Sequence, residues 1–148
     1  MRRTVILTAL AVVLFGGVAA FAAETAVVHA TLETEPFFDE DDADADDPAI
    51  WVHPSQSAKS IVVGTLKNGG LAVFDLAGAT IQRIDYADEA ARQNNVDLLY
   101  DVKLGGVTRD LAVATDRGLD HLRVFAIDRA GSAAQQPLAE LTVPDPPV

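Results

Sequence analysis

Thr65-Leu66-Lys67-Asn68-Gly69-Gly70-Leu71-Ala72-Val73-Phe74-Asp75 decides how this chain is read, because it returns as Thr115-Asp116-Arg117-Gly118 followed by Leu122-Arg123-Val124-Phe125-Ala126-Ile127-Asp128. Thr65 to Thr115 and Lys67 to Arg117 are each 50 apart, and Phe74 to Phe125 is 51 apart. Each copy sets a basic turn between two apolar runs, the pattern of a β-hairpin. A period near 50 residues with about four strands per unit is what a propeller blade looks like.

The flanking sequence supports the same reading. Short β-branched and aliphatic runs at Ala49 to His53, Ser60 to Thr65, Gly70 to Leu76, Thr80 to Ile84, Val96 to Val102, Arg109 to Thr115, Leu122 to Ile127 and Leu138 to Val143 predict strands. Asn68-Gly69-Gly70, Ala77-Gly78 and Gly105-Gly106 supply turns, and Asp88 to Gln93 is expected to form one helical turn. The fold class is therefore all-β, built of four-stranded antiparallel blades. Equivalent residues of successive blades lie at one height around the axis, so Lys67 and Arg117 should point from matching turns toward one face. Carried back, the same register sets Asp47 opposite Asp97 as a matching acidic pair, again 50 apart.

The first strand is approached through Asp44-Ala45-Asp46-Asp47-Pro48-Ala49-Ile50-Trp51-Val52-His53-Pro54. Carboxylates this close repel one another unless a cation sits among them, and hard oxygen ligands suit Ca²⁺. Pro48 fixes its own φ and pushes Asp47 toward an extended conformation, presenting the acids stiffly at the head of a strand. Ile50 and Val52 share one face of that strand, Trp51 and His53 the other. An EF-hand is excluded, since the sixth position counted from Asp42 is Asp47 rather than Gly and the twelfth is His53 rather than Glu. His53 reads as exposed and structural.

Residues 1–22 carry Arg2 and Arg3, an apolar run from Val5 to Val18 and the small-x-small pattern Ala20-Phe21-Ala22, which predicts a secretory signal peptide cut after Ala22. An uncleaved anchor is the alternative. Residues 23–47 then form an acidic lead-in, and 48–148 the blades. Losing Arg2 and Arg3 moves the formal charge from −11 to −13 on 126 residues, so neither nucleic acid nor anionic membrane is sought by charge. The mature chain is expected in the periplasm or outside the cell, with no membrane association. There is no cysteine, so stability must come from the core or from bound ions. His29, His53 and His121 are too scattered for zinc, and there is no nucleophile elbow, phosphate loop or dinucleotide fingerprint.

The motifs in order, Asp44 to Trp51, Gly70-Leu71-Ala72-Val73-Phe74-Asp75-Leu76, Asn94-Asn95-Val96-Asp97-Leu98-Leu99-Tyr100-Asp101 and Arg123 to Asp128, resemble the opening blades of bacterial β-propeller phytases. The resemblance implies a secreted six-bladed propeller that binds several Ca²⁺ ions and releases phosphate from the calcium salt of phytate by means of a metal-activated water. It implies that Lys67 and Arg117 bind substrate phosphates, that Asp46 and Asp47 are calcium ligands, and that Asn94, Asn95 and Asp97 belong to a structural calcium loop. The second lysine of the family's pair is Asn68 here. Six blades at this period need roughly 300 residues, so the chain is expected to hold the N-terminal portion of such a propeller. No catalytic residue is assigned. The competing expectation is a non-catalytic, incomplete propeller that binds calcium or phosphate, or associates with another chain or domain through open strand edges.

Overall fold

The eight runs named above become eight strands; Ile61 to Thr65 alternates buried and half-buried positions, whereas Gly70 to Phe74 is buried along its whole length. The computed structural model describes residues 26–37, 44–88, 90–134 and 136–142; the signal-peptide segment and Asp39, Glu40, Asp41 and Asp42 fall outside them. β1 (Ala45–Trp51), β2 (Ile61–Leu66), β3 (Gly70–Phe74) and β4 (Thr80–Ile84) form one antiparallel sheet in the order β1-β2-β3-β4. β5 (Gln93–Leu104), β6 (Val107–Asp116), β7 (His121–Ile127) and β8 (Leu138–Leu141) form a second in the order β5-β6-β7-β8. Neither sheet contains a crossover, so each is a four-stranded meander, one propeller blade. Two single-turn 3₁₀ helices, Ser57–Lys59 and Gly131–Ala133, lie in the connections, and there is no α-helix among the described residues. The chain is thus all-β, two blades of a propeller that is incomplete relative to six.

Two expectations are corrected. Asp88 to Gln93 holds a shorter turn than expected: the Asp88 carbonyl accepts the Ala91 N–H, the Asp88 carboxylate accepts the Ala90 N–H, and Gln93 already opens β5. The pairing of Asp47 with Asp97 also fails. Pro48 pairs with Gly64 and Val96 with Ala114, so the inner strands repeat at 48 residues while the second strands repeat at 50. Asp47 and Asn95 are the equivalent residues, each donating its N–H to the threonine of the next strand, Thr65 and Thr115, at 3.0 Å. The reason is the first hairpin. Trp51 pairs with Ile61 across ten positions, whereas Leu99 pairs with Leu111 across twelve, with a bulge between Leu99 and Val102.

One shared core joins the blades. Trp51, Ile61, Val63, Leu71 and Val73 from the first sheet pack against Val96, Ala112, Ala114, Phe125, Ile127 and Leu138 from the second. The small Ala112 and Ala114 make room for large partners opposite, as a close-packed interior requires. Gly70 is needed where β3 begins, since its φ is +93° and a Cβ would come within 1.9 Å of the Ile84 carbonyl oxygen.

Several polar groups tie the two blades across this apolar seam. Thr65 Oγ1 donates to the Asn94 carbonyl and the Asp47 carboxylate accepts the Val96 N–H, both at 3.0 Å. Val52 N–H donates to the Tyr100 hydroxyl at 2.9 Å, and the Gln82 amide both donates to and accepts from the Leu138 backbone. His53 is buried rather than exposed: its Nδ1 accepts the Ser55 and Gln56 N–H groups, so Nε2 carries the proton donated to the Arg129 carbonyl. At the centre lies Asp110, with no exposed surface, accepting the Trp51 indole N–H at 3.0 Å, the Asp101 N–H at 3.0 Å and the Arg129 guanidinium at 3.0 Å. Burial alone would raise the Asp110 carboxyl, but these donors hold it below its ordinary value of 3.8.

Two outcomes are expected. Asp110→Ala strands three buried or half-buried donors, and urea unfolding should register a loss of about 3 kcal/mol. Because the folded carboxyl is more acidic than the unfolded one, its stabilisation is complete above pH 3.8 and lost as pH falls through the folded value. Unfolding free energy should therefore stay level from neutral pH down to about pH 5 and fall below about pH 4, with a shallower fall in Asp110→Asn.

Candidate phosphate and cation site

The two basic turns expected to match do match. Lys67 follows β2 and Arg117 follows β6, and each donates its backbone N–H to the segment that leads into its own blade, Lys67 to the Asp44 carbonyl at 3.1 Å and Arg117 to the Arg92 carbonyl at 2.9 Å. Adjacent blades thus raise a lysine and an arginine from equivalent turns at the same end of their sheets.

Their side chains are handled differently. Lys67 Nζ lies 3.3 Å from both Asp44 and Asp46, and these carboxylates raise its pKa, chiefly by hydrogen bonding from Asp44 and then Asp46. The residue proposed for phosphate and one proposed for metal are therefore paired with each other. Arg117 is exposed, and no acid among the described residues lies within ion-pair range of it. It lines a shallow depression with Thr115, Asp116, Asp120, His121 and Leu122.

The remaining named residues do not gather at one point. Asp47 uses a carboxylate oxygen to hold the Val96 N–H across the blade seam. Asn94 donates its side-chain amide to Asn95 Oδ1 at 2.6 Å, while its carbonyl takes the Thr65 hydroxyl. Asp97 is exposed on β5, opposite Val113. Among the described residues no three His, Asp or Glu side chains converge as a preformed metal cage. Asp44 and Asp46 both turn a carboxylate oxygen to the one Lys67 ammonium, oxygen donors of the type a hard cation takes.

Asp116 was overlooked in the sequence, and it is the most heavily bonded side chain near either turn. It is 1 % exposed and binds Arg92, Gln93, Gly118, Leu119 and Arg123. Arg123 in turn bonds Glu140 and lies 3.7 Å over the Tyr86 ring. The signal was present in the repeat: Asp116 stands where the first blade has Leu66, an acid at an apolar position.

Comparison with known proteins follows the same lines. The chain is 44% identical over 103 residues to the 3-phytase of Bacillus subtilis (strain 168), an alignment that covers 68% of this chain and 26% of that protein. The chain spans about a quarter of the length of that curated relative. A family model described as Phytase matches residues 3–148, almost every position from the apolar N-terminal run through both blades, and this chain accordingly belongs to the phytase family.

Proposed function

We propose that this chain supplies the first phosphate-holding turns of a secreted, calcium-dependent enzyme that hydrolyses phosphate monoesters of phytate. The observation that carries the reading is the placement of Lys67 and Arg117 at equivalent turns of neighbouring blades. A polyphosphorylated ring presents several dianionic groups around its rim, and cations repeated from blade to blade suit that spacing of charge. The arginine fork can take two phosphate oxygens at once, whereas the lysine acts as a point charge.

Calcium would be held here by Asp44 and Asp46, with Asp47 as the further ligand the resemblance implies beside Asp46, while Asn94, Asn95 and Asp97 would belong to a separate structural calcium loop. When bound, Ca²⁺ supplies positive charge against the phosphates and lowers the pKa of a coordinated water. Lys67 now occupies the carboxylates that would receive the ion. A cation at Asp44 and Asp46 and the lysine ion pair are therefore alternatives, and displacement would free the ammonium for a substrate phosphate. Removal of residues 1–22 would leave the mature chain periplasmic or extracellular, where no disulfide supports it and calcium can serve stability as well.

A second reading rests on apolar side chains left exposed on the second blade. On that reading the two blades bind calcium or phosphate without turnover, or associate through exposed Leu99 and Leu122. Purified chain given Ca²⁺ and phytate distinguishes the two. Sustained release of inorganic phosphate, abolished by a chelator, is expected; saturable binding without release would leave only the second.

Calcium should also raise the melting temperature, because a ligand bound by the folded state alone stabilises it by mass action. A melt identical with calcium and with chelator would count against both metal readings. Lys67→Ala and Arg117→Ala should each weaken phytate binding by roughly tenfold, as loss of one charge-assisted contact implies.

A further inference from the structure

Arg117 is fixed through its backbone, and the fixing centres on a single buried carboxylate. Asp116 Oδ1 accepts the Gly118 and Leu119 N–H groups, both at 3.3 Å, and the Arg92 N–H at 2.9 Å. Its Oδ2 accepts the Gln93 amide at 3.1 Å and the Arg123 guanidinium at 3.0 Å, and His121 Nε2 lies 3.8 Å away. All five groups hydrogen-bonded to this carboxylate are donors. Burial alone would raise the Asp116 carboxyl, yet these bonds keep it below the usual carboxylate range, so it is ionised at neutral pH.

Packing closes the same turn independently. Gly118 sits so near the strand approaching β5 that a Cβ would come within 1.7 Å of the Ala90 carbonyl oxygen. Leu119 and Asp120 then bring the chain back to β7, with Asp120 at φ +54°. The first blade has no counterpart, since Leu66 occupies the matching position and Lys67 is restrained instead by Asp44 and Asp46 at its own side chain. The two cations are thus prepared in opposite ways: Lys67 is held by its tip, Arg117 by its base.

We propose that Asp116 is the positioning residue of Arg117, holding the β6–β7 turn so that the exposed guanidinium meets a phosphate with its backbone already ordered. The proposal rests on the reading of Arg117 as a phosphate ligand. Pre-ordering matters because immobilising a loop on binding consumes interaction energy that a fixed turn retains. An asparagine could not substitute, as its amide would set N–H groups against donors.

The test measures phytate affinity by calorimetry, in the presence of Ca²⁺, for the intact chain, Asp116→Asn, Arg117→Ala and the double variant, together with amide hydrogen exchange at Gly118 and Leu119. Asp116→Asn is expected to accelerate those two amides at least tenfold and to weaken phytate binding by roughly the factor seen for Arg117→Ala. In the Arg117→Ala background it should add less than about twofold, the coupling expected of residues acting as one unit. Equal losses in both backgrounds, or unchanged affinity, would overturn the assignment. Should the intact chain fail to bind phytate, the phosphate reading of Arg117 falls by itself, and exchange decides Asp116: slow amides in Asp116→Asn would refute its hold on the turn. Where Asp116→Asn does not fold, Asp116→Glu moves the carboxylate by one methylene and is read through the same cycle.

Discussion

Asp110 beneath the Trp51 indole is the contact on which the rest of the molecule hangs. Two sheets that meet through Ile, Val, Leu and Ala side chains could slide past each other at little cost, because apolar contact is non-directional. A buried carboxylate that must satisfy an indole N–H from one blade and a backbone N–H and guanidinium from its own permits one alignment. Arg129 extends the tie, pairing with Asp101 and Asp110 while its carbonyl receives His53 from the first blade. The relative height of the Lys67 and Arg117 turns follows from that alignment. The geometry at one end of the blades depends on a lock within the seam.

The site shows how a repeat can conserve a position and change the means of holding it. Both turns donate a backbone N–H to the strand approach beside them, which is a property of the blade. What surrounds that common bond differs, acidic side chains around Lys67 and a buried acid beneath Arg117. The first arrangement leaves two exposed carboxylates that share one ammonium. The second buries its carboxylate with protein donors only, so Asp116 has no free lone pairs to offer a metal and is committed to structure.

Much of the fold was legible because it depends on local pattern. All eight strands followed from apolar runs and turn residues, and the hairpin echo fixed the equivalence of Lys67 with Arg117. Legibility failed where spacing depended on a connection. The longer first hairpin of the second blade shifts β5 by two residues against the repeat, and nothing in Asp47 or Asp97 themselves reveals that shift. His53 misled for a related reason: followed by Pro54 it reads as a loop residue, but its ring is drawn into the seam by Arg129, 76 residues away. Asp116 was visible as an acid in an apolar slot, yet its five donors come from three segments that only folding assembles.

The corrected register also narrows what Asp47 can do. Placed opposite Asp97 it would be one of two like carboxylates facing a shared ion; placed opposite Asn95 it is the only acid of its pair, and one oxygen is already engaged by Val96. A metal at the head of β1 would then draw chiefly on Asp44 and Asp46, with Asp47 contributing its other oxygen while its first keeps the blades joined. Such a carboxylate links ion and seam directly, since pulling it toward a cation strains the bond to β5. Calcium affinity and inter-blade stability should therefore be coupled through this one side chain, and Asp47→Asn, which keeps an acceptor for Val96 but loses the charge, would separate them: the calcium-dependent rise in melting temperature should shrink while the calcium-free melt stays close to that of the unmodified chain.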